Sequence, residues 1–161
     1  MPVTQRIVEG EFRGSDAAAV LARLGTLVQS VVEHVTALGM VPAGVCVGVP
    51  GLIEHRTGLL RFAPNLGWRD VAIVDLVRAA SGLTSLTWVV GNDADLAARA
   101  EMRARARRTA TPLLDENFVY IGGFVGIGGA VIRSGAPALG VNGWGGEIGH
   151  SCIHPDGPAC S

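Results

Sequence analysis

The stretch LTWVVGNDADLAARA, residues 86–100, decides the fold class. Its apolar start, residues 86–90, predicts a buried strand, and the segment from residue 96 onward predicts a helix. Asn92 and Asp93 therefore fall between the end of a strand and the beginning of a helix. In α/β sheets this edge is where ligands bind, so the pair is the first candidate site.

A long helix and another strand come before this stretch. Apolar residues between Ser15 and Gly39 recur at three- and four-residue steps, which predicts an amphipathic helix that Ser15 or Asp16 can cap. The run AGVCVGV, residues 43–49, is apolar without alternation and predicts a strand buried on both faces. A helix followed by such a strand indicates a parallel α/β sheet.

Two further elements are expected between the strands. Residues 52–68 carry a turn signal at Thr57 and Gly58, which predicts a hairpin or a long loop across the top of the sheet. Asp70 is expected to cap a second helix, which Gly82 ends. Loops in this position often carry function.

The pattern changes at residues 109–117, where Pro112 and polar residues interrupt the helix. Residues 118–133 then predict two short strands joined by a glycine-rich turn. We therefore expect residues 1–115 to form an amino-terminal α/β lobe that is incomplete at its start. Residues 116–161 are expected to begin a carboxyl-terminal α/β lobe that is truncated.

The composition favours a cytoplasmic protein with a hydrophobic core. The chain has 161 residues, 48% of them hydrophobic, and a formal net charge of -1, so no overall basic surface argues for nucleic-acid binding. Cys46, Cys152 and Cys160 have no regular spacing, and Cys46 lies in a strand expected to be buried, so no disulfide framework is expected. No apolar run is long enough for a membrane span or a signal segment.

Two interpretations of Asn92 and Asp93 stay open. An amide and a carboxylate can hydrogen-bond substrate hydroxyls, and a suitably placed Asp could draw a proton from an alcohol during group transfer. Both residues are also good helix caps, because the helix dipole favours negative charge at the amino terminus. The two roles are compatible.

The glycine-rich segment GGFVGIGGA, residues 122–130, also has two interpretations. Glycines let backbone N–H groups approach a phosphate, which makes Gly126, Gly128 and Gly129 candidates for a phosphate loop. Glycine equally serves any tight hairpin turn. The chain also contains no lysine to meet a phosphate in the manner of a P-loop.

The closing stretch, GGEIGHSCIHPDGPACS, gathers groups that bind metals and hydroxyls: Glu147, His150, Cys152, His154 and Cys160. If residues 150–154 are extended, alternate side chains point to one side, and a zinc site is conceivable. The paired-cysteine spacing of common zinc sites is absent, and Cys152 could equally be a core residue.

Five blocks of the sequence together resemble the ROK family, whose name stands for repressor, open reading frame and kinase. They are VGVPGLIE (47–54), APNLGW (63–68), GNDADLAARAE (91–101), VGIGGAVI (125–132) and GGEIGHSCIHPDGPAC (145–160). The resemblance implies an actin-like, ribonuclease H-like ATPase fold of two α/β lobes with a sugar in the cleft between them. One lobe would be largely present here and the second only begun. Family members are ATP-dependent sugar kinases or transcription regulators with an added helix-turn-helix.

The resemblance also implies roles for individual residues. The family residues matching Asn92, Glu147 and His150 contact the sugar, and the one matching Asp93 is the base that activates the sugar hydroxyl in the kinases. Asn65, in the block APNLGW, is a further candidate for sugar binding. Carboxylate, amide and imidazole groups suit a polyhydroxylated ligand.

A structural zinc is implied as well, with a departure from the family pattern. The residue matching His150 ligates zinc together with three cysteines in the pattern Cys-x-Cys-Gly-x-x-x-Cys, and Cys160 matches the first cysteine. Structural zinc normally takes four protein ligands, so His150 and Cys160 form an incomplete zinc site. The family's first phosphate turn and the helix-turn-helix are also absent, so we expect an internal fragment of a longer protein.

The residues favour a sugar-sensing regulator over an enzyme. The second phosphate loop of the family's kinases usually reads Gly-Thr-Gly-Ile-Gly, whereas residues 124–128 read Phe-Val-Gly-Ile-Gly, and Val125 cannot hydrogen-bond a phosphate. A regulator would bind a small sugar here and DNA only through a helix-turn-helix outside this chain. The full-length protein is expected to be a homo-oligomer. The alternatives are a hexose kinase of the glucokinase type, using ATP and magnesium, and a non-functional remnant.

Overall fold

In the computed structural model, which describes residues 12–123 and 126–157, the chain divides into two units. The first is Met1–Asp93 and the second is Ala94–Ser161. A unit is defined by contacts within this chain, whereas a lobe is defined by the complete fold. The lobe boundary expected after residue 115 therefore stays a prediction.

The first unit contains two helices and five strands. In chain order they are α1 (Ala17–Ala37), β1 (Gly44–Val49), β2 (Leu52–Ile53), β3 (Leu60–Ala63), β4 (Trp68–Val71), α2 (Ile73–Ser81) and β5 (Thr87–Asn92). The predicted amphipathic helix is confirmed as α1. Asp16 caps it, because its carboxylate accepts hydrogen bonds from the backbone N–H groups of Ala18 and Ala19 at 3.3 and 3.2 Å.

The predicted parallel sheet is confirmed by the pairing of β1 with β5. Gly44 lies opposite Thr87, and Val49 lies opposite Asn92, so both strands end at the same edge. The segment between β1 and α2 folds as an antiparallel sheet of β2, β3 and β4, in that order. This agrees with the hairpin predicted there.

The prediction that β1 is buried on both faces is wrong. Its residues alternate between the two faces, and Val47 and Val49 join the core while Cys46 is exposed. The core cluster that contains residues of α1 and α2 covers the valine face of β1. In the described part of the chain the opposite face stays open, and Val89 of β5 is 50% exposed there.

The predicted cap of α2 is also wrong. Asp70 lies within β4, three residues before α2 begins, and Ala72 occupies the cap position without a side-chain hydrogen bond. The Asp70 carboxylate instead accepts a hydrogen bond from the Arg61 guanidinium at 3.1 Å. The cross-strand ion pair therefore replaces the cap that local sequence favours.

Helices α1 and α2 approach closely at Gly25. A methyl group on Gly25 would come within 2.6 Å of the Ala80 Cβ atom and 2.9 Å of the Val77 carbonyl oxygen. Since two of the atoms it would meet belong to the backbone of α2, side-chain rotation cannot relieve the overlap.

We expect Gly25→Ala to destabilise the protein by about 1 kcal/mol, because overpacking of about 1–3 kcal/mol exceeds the gain in helix propensity. Urea unfolding measures the change in the free energy of unfolding. Thr26→Ala, at an exposed neighbouring position on α1, is the control and should leave that free energy nearly unchanged. An unfolding free energy equal to or above that of the wild type would contradict the close helix contact.

The second unit places one helix against a small antiparallel sheet. Its elements are α3 (Asp93–Thr109), whose first residue belongs to the first unit, β6 (Phe118–Gly123), β7 (Ile127–Arg133) and β8 (Ala136–Pro137), with short 3₁₀ helices at Leu113–Asp115 and Ile148–His150. The two strands predicted after residue 117 are confirmed, while residues 124 and 125 of the predicted turn between them lie outside the described residues. Buried residues of α3 and β7 form the core: Ala98, Met102, Ala130 and Ile132.

An ion pair with a buried carboxylate fixes the segment between α3 and β6. Glu116 is 6% exposed, and its carboxylate accepts a hydrogen bond from the Arg105 guanidinium at 3.2 Å. The same guanidinium lies over the Phe118 ring, 4.9 Å from its centroid. Arg105 is therefore a structural side chain of α3.

Among the helices in the described part of the chain, none is long and apolar enough to cross a lipid bilayer.

Candidate functional site

The junction of β5 and α3 holds Asn92 and Asp93. Asn92 is the last residue of β5, and Asp93 is the first residue of α3, as the sequence predicts. Asp93 is exposed at the amino terminus of a 17-residue helix, where the helix dipole stabilises a carboxylate. The Asn92 amide donates a hydrogen bond from Nδ2 to the Gly51 carbonyl oxygen at 3.0 Å.

Gly51 connects Asn92 to the turn that carries Asn65. Its φ angle is 118°, a conformation that residues with a side chain rarely adopt. A methyl group here would overlap the Phe62 carbonyl oxygen and lie 2.9 Å from the Ala63 Cα atom. The turn after β1 thus lies directly against the end of β3, and Asn65 follows in the exposed turn between β3 and β4.

Arg61, in the antiparallel sheet of β2, β3 and β4, is the centre of an exposed group of charged side chains. Its guanidinium donates to Asp70 and to Glu54, each at 3.1 Å. The hydrogen bond to Asp70 and the negative charge of Glu54 raise the pKa of Arg61 above its ordinary value. The cluster links β3 to β4 and to the turn after β2, on the strands that support Asn65.

The second unit presents Glu147 and His150. Glu147 immediately precedes the 3₁₀ helix Ile148–His150, and its side chain is 37% exposed while that of His150 is 61% exposed. The Glu147 Oε2 atom lies 3.9 Å from the His150 Nε2 atom. A half-buried carboxylate beside an accessible imidazole can hydrogen-bond the hydroxyls of a polar ligand.

Glycines place this pair by letting its loop lie directly on β7. Gly146 has a φ angle of 98°, and a methyl group on it would lie 2.9 Å from the Gly129 carbonyl oxygen. A methyl group on Gly149 would overlap the Ile127 carbonyl oxygen. The backbone on both sides of Glu147 is therefore held against the strand. Sequence reasoning missed these contacts, although the glycines flanking Glu147 are a visible signal for close backbone approach.

The candidate phosphate-loop glycines have observed packing roles. Gly128 and Gly129 lie within β7, opposite Gly122 and Ile121 of β6. A methyl group on Gly128 would lie 3.1 Å from the Ala94 Cβ atom, and one on Gly129 would overlap the Ile148 side chain. Gly126 precedes β7 and is exposed, while residues 124 and 125 lie outside the described residues. The phosphate-loop assignment stays a prediction.

Of the implied zinc ligands, only His150 belongs to the described part of the chain, because Cys160 lies outside it. Cys152 is free and exposed. Within residues 12–123 and 126–157, no three His, Cys, Asp or Glu side chains lie close enough to hold a metal ion. The zinc site stays a prediction.

The structure brings the candidate residues together in two sets, one in each unit. Asn65, Asn92 and Asp93 belong to the first unit, where the Asn92 side chain bonds to Gly51 and Gly51 lies against Phe62 and Ala63, just before the turn that carries Asn65. Glu147 and His150 belong to the second unit and are adjacent on one loop. Each set combines amide, carboxylate or imidazole groups suited to a hydroxylated ligand.

The chain is similar to known proteins over most of its length. A sequence model of the ROK family matches residues 17–161. The chain is 39% identical over 116 residues to the glucokinase of Halalkalibacterium halodurans, which covers 72% of this chain and 33% of the glucokinase. It is 32% identical over 123 residues to the xylose repressor of Bacillus subtilis, which covers 76% of this chain and 29% of the repressor. The chain spans about a third of the length of these curated relatives.

A solved structure shows the same fold. A ROK family glucokinase from Streptomyces griseus, crystallised in complex with glucose and AMPPNP, matches with a TM-score of 0.70 at 29% sequence identity. The match covers 88% of this chain and 41% of that chain. The described elements therefore correspond to part of a larger known architecture.

Proposed function

Because this chain belongs to the ROK family and has part of its actin-like, ribonuclease H-like ATPase fold, we propose that it is the sugar-sensing part of a transcription regulator. The observation that best supports this proposal is the Glu147–His150 pair. Close glycine contacts hold the backbone of its loop against β7, and both side chains are accessible. The sugar-bound relative and the xylose repressor support a small sugar as the ligand.

Each polar group would take a different part in binding. Glu147 would accept hydrogen bonds from sugar hydroxyls, because an ionised carboxylate is an acceptor only. His150 can both donate and accept when its imidazole is neutral. Asn65, Asn92 and Asp93, in the first unit, carry amide and carboxylate groups that would also hydrogen-bond sugar hydroxyls. The preferred sugar would be the one whose hydroxyls pair with every polar group of the site that binding buries.

The residues near the turn before β7 favour a regulator. Gly128 and Gly129 are occupied by packing against Ala94 and Ile148, which supports a structural role for them. Val125 supplies no hydroxyl with which to hold a phosphate. DNA would be bound through a helix-turn-helix outside this chain.

A kinase of the glucokinase type is the second candidate. The observation in its favour is Asp93, an exposed carboxylate at the amino terminus of α3, together with the similarity to the Halalkalibacterium glucokinase. In a kinase Asp93 would remove the proton from the attacking sugar hydroxyl. ATP and magnesium would supply the phosphoryl group and neutralise its charge.

Three further assignments belong to the proposal. A structural zinc would take His150 and Cys160 as two of its ligands, with the others outside this chain. The full-length protein would be a cytoplasmic homo-oligomer. A remnant without function remains the third candidate, and it predicts no ligand at all.

We expect the purified chain to bind at least one of glucose, xylose and N-acetylmannosamine in titration calorimetry, and to release no ADP when ATP and magnesium are added. The assay for ADP distinguishes regulator from kinase, because only a kinase consumes ATP with the sugar. Sugar-dependent ADP release that disappears in Asp93→Asn would overturn the regulator proposal in favour of the kinase. Absence of binding to every sugar would remove both.

A further inference from the structure

The turn that carries Asn65 is bonded directly to the residues that precede α1. The Gly14 N–H donates to the Leu66 carbonyl oxygen at 3.1 Å. The Leu66 N–H donates to the Ala63 carbonyl oxygen, also at 3.1 Å, so both backbone polar groups of Leu66 are bonded. Asn65 itself is exposed. The residue that follows it in the chain is therefore held on both sides.

A tryptophan side chain makes a second bond between the same two segments. Trp68 is 6% exposed, and its indole N–H donates to the Ser15 carbonyl oxygen at 2.8 Å. Ser15 in turn donates its N–H to the Phe12 carbonyl oxygen at 3.1 Å, which closes a turn of residues 12–15. Two bonds at neighbouring positions, one to Leu66 and one from Trp68, fix the orientation of the segments as well as their distance.

The turn of residues 12–15 has a firm support of its own in α1. Asp16 follows it directly and caps the helix through its carboxylate. Leu21, one turn further along α1, is 2% exposed and belongs to the core cluster that also contains Trp68 and Ala63. The start of α1 is thus anchored in the core beside the strands that flank the Asn65 turn.

We infer that Trp68 is a positioning residue, whose indole N–H ties the Asn65 turn to the start of α1 and holds the Asn65 amide where it bonds a sugar hydroxyl. Tryptophan suits this role because its ring is apolar and its N–H is a single donor that needs one partner. Trp68 acts through the turn, since its N–H is directed to the protein backbone. The inference rests on the proposed sugar-binding function.

Trp68→Phe removes the N–H donor and keeps an aromatic ring in the core. Sugar affinity measured by calorimetry should fall about fivefold, the effect of one lost hydrogen bond. Trp88→Phe is the matched control, because the Trp88 indole N–H also donates to a backbone carbonyl, that of Leu83, at 2.9 Å, and its side chain packs against the same core cluster. The control should bind sugar as the wild type does. Wild-type affinity in Trp68→Phe, or an equal loss in both variants, would overturn the inference.

A double-mutant cycle tests whether Trp68 acts through Asn65. Asn65→Ala removes the amide and should itself weaken sugar binding about fivefold. In that background Trp68→Phe should cause no further loss, because the group that it positions is already gone. A further fivefold loss would show that the two side chains contribute independently, and the positioning role would be wrong.

Amide hydrogen exchange in the sugar-free protein reports on the turn without any ligand. In Trp68→Phe the Gly14 amide should exchange about fivefold faster, while the Gly82 amide, bonded to the Arg78 carbonyl at the end of α2, should be unchanged. Unchanged exchange at Gly14, or equal acceleration at both amides, would overturn the inference. If the wild type binds no sugar, the proposed function fails, and exchange at Gly14 alone decides whether Trp68 holds the turn.

A second replacement serves if Trp68→Phe fails to fold. Benzothienylalanine at position 68 exchanges the indole N–H for sulfur at nearly constant shape, so the core packing is kept and only the donor is lost. The same losses in sugar affinity and in Gly14 protection are expected. Wild-type values of both would contradict the role of the N–H.

Discussion

Replacing Glu147 with alanine is expected to weaken sugar binding about a hundredfold. An ionised carboxylate can accept hydrogen bonds from two sugar hydroxyls, and each bond to a charged group contributes about 1.5–3 kcal/mol. A loss of about 2.8 kcal/mol corresponds to a hundredfold in the dissociation constant. The Glu147 side chain is 37% exposed and its backbone is held against β7, so alanine at this position leaves those hydroxyls without the carboxylate.

Titration calorimetry against the sugar that binds the wild type measures this loss. Glu147→Gln should lose less affinity than Glu147→Ala, because the amide keeps an acceptor oxygen but loses the charge. Asp156→Ala is the matched control, since Asp156 is an exposed carboxylate on the same closing stretch. Affinity within about threefold of the wild type in Glu147→Ala would remove this side chain from the binding site.

The sequence predicts those features that depend on local pattern. The periodic apolar residues of α1 and the Asp16 cap act within one helix, so both are found where the pattern places them. The junction of β5 and α3 at Asn92 follows from an apolar run that gives way to a helical one. Parallel pairing of β1 and β5 follows from the helix and strand alternation.

Features that depend on tertiary contacts were missed or mistaken. The run GVCVGV is apolar on both faces, and only packing decides that the valine face is covered and Cys46 is exposed. Asp70 has the ordinary preference of a cap, but the Arg61 guanidinium on the adjacent strand captures it. Glu116 reads as part of a polar connection, yet it is buried because Arg105 lies eleven residues earlier on the helix facing it.

In the candidate site, too, local features could be predicted from the sequence and tertiary contacts could not. The residue types of the site could be predicted from sequence, because carboxylate, amide and imidazole chemistry is local to each side chain. What sequence could not give is how the backbone presents them. The Gly51 contact with Ala63 and the Gly149 contact with Ile127 join segments far apart in the chain. Both are possible only because glycine has no side chain.

Gly149→Ala is expected to destabilise the second unit by about 3 kcal/mol and to abolish measurable sugar binding. The added methyl group would overlap the Ile127 carbonyl oxygen, which belongs to β7. Ile127 is paired with Gly123 of β6, so its backbone cannot turn aside, and overpacking of this kind costs about 1–3 kcal/mol or more. The loop must lift from the strand instead, which displaces Glu147 and His150 together.

Urea unfolding and calorimetry of the same samples measure the two parts of this effect. Gly123→Ala is the matched control, because among the described residues a methyl group there would meet nothing nearer than the Gly126 carbonyl oxygen at 4.0 Å. That variant should be as stable as the wild type or slightly more so, since alanine restricts the unfolded chain. Wild-type stability in Gly149→Ala would refute the close contact of the loop with β7. If Gly149→Ala is destabilised but binds the sugar as tightly as the wild type, the contact supports the fold without placing Glu147. A displaced carboxylate could not keep its hydrogen bonds to the sugar.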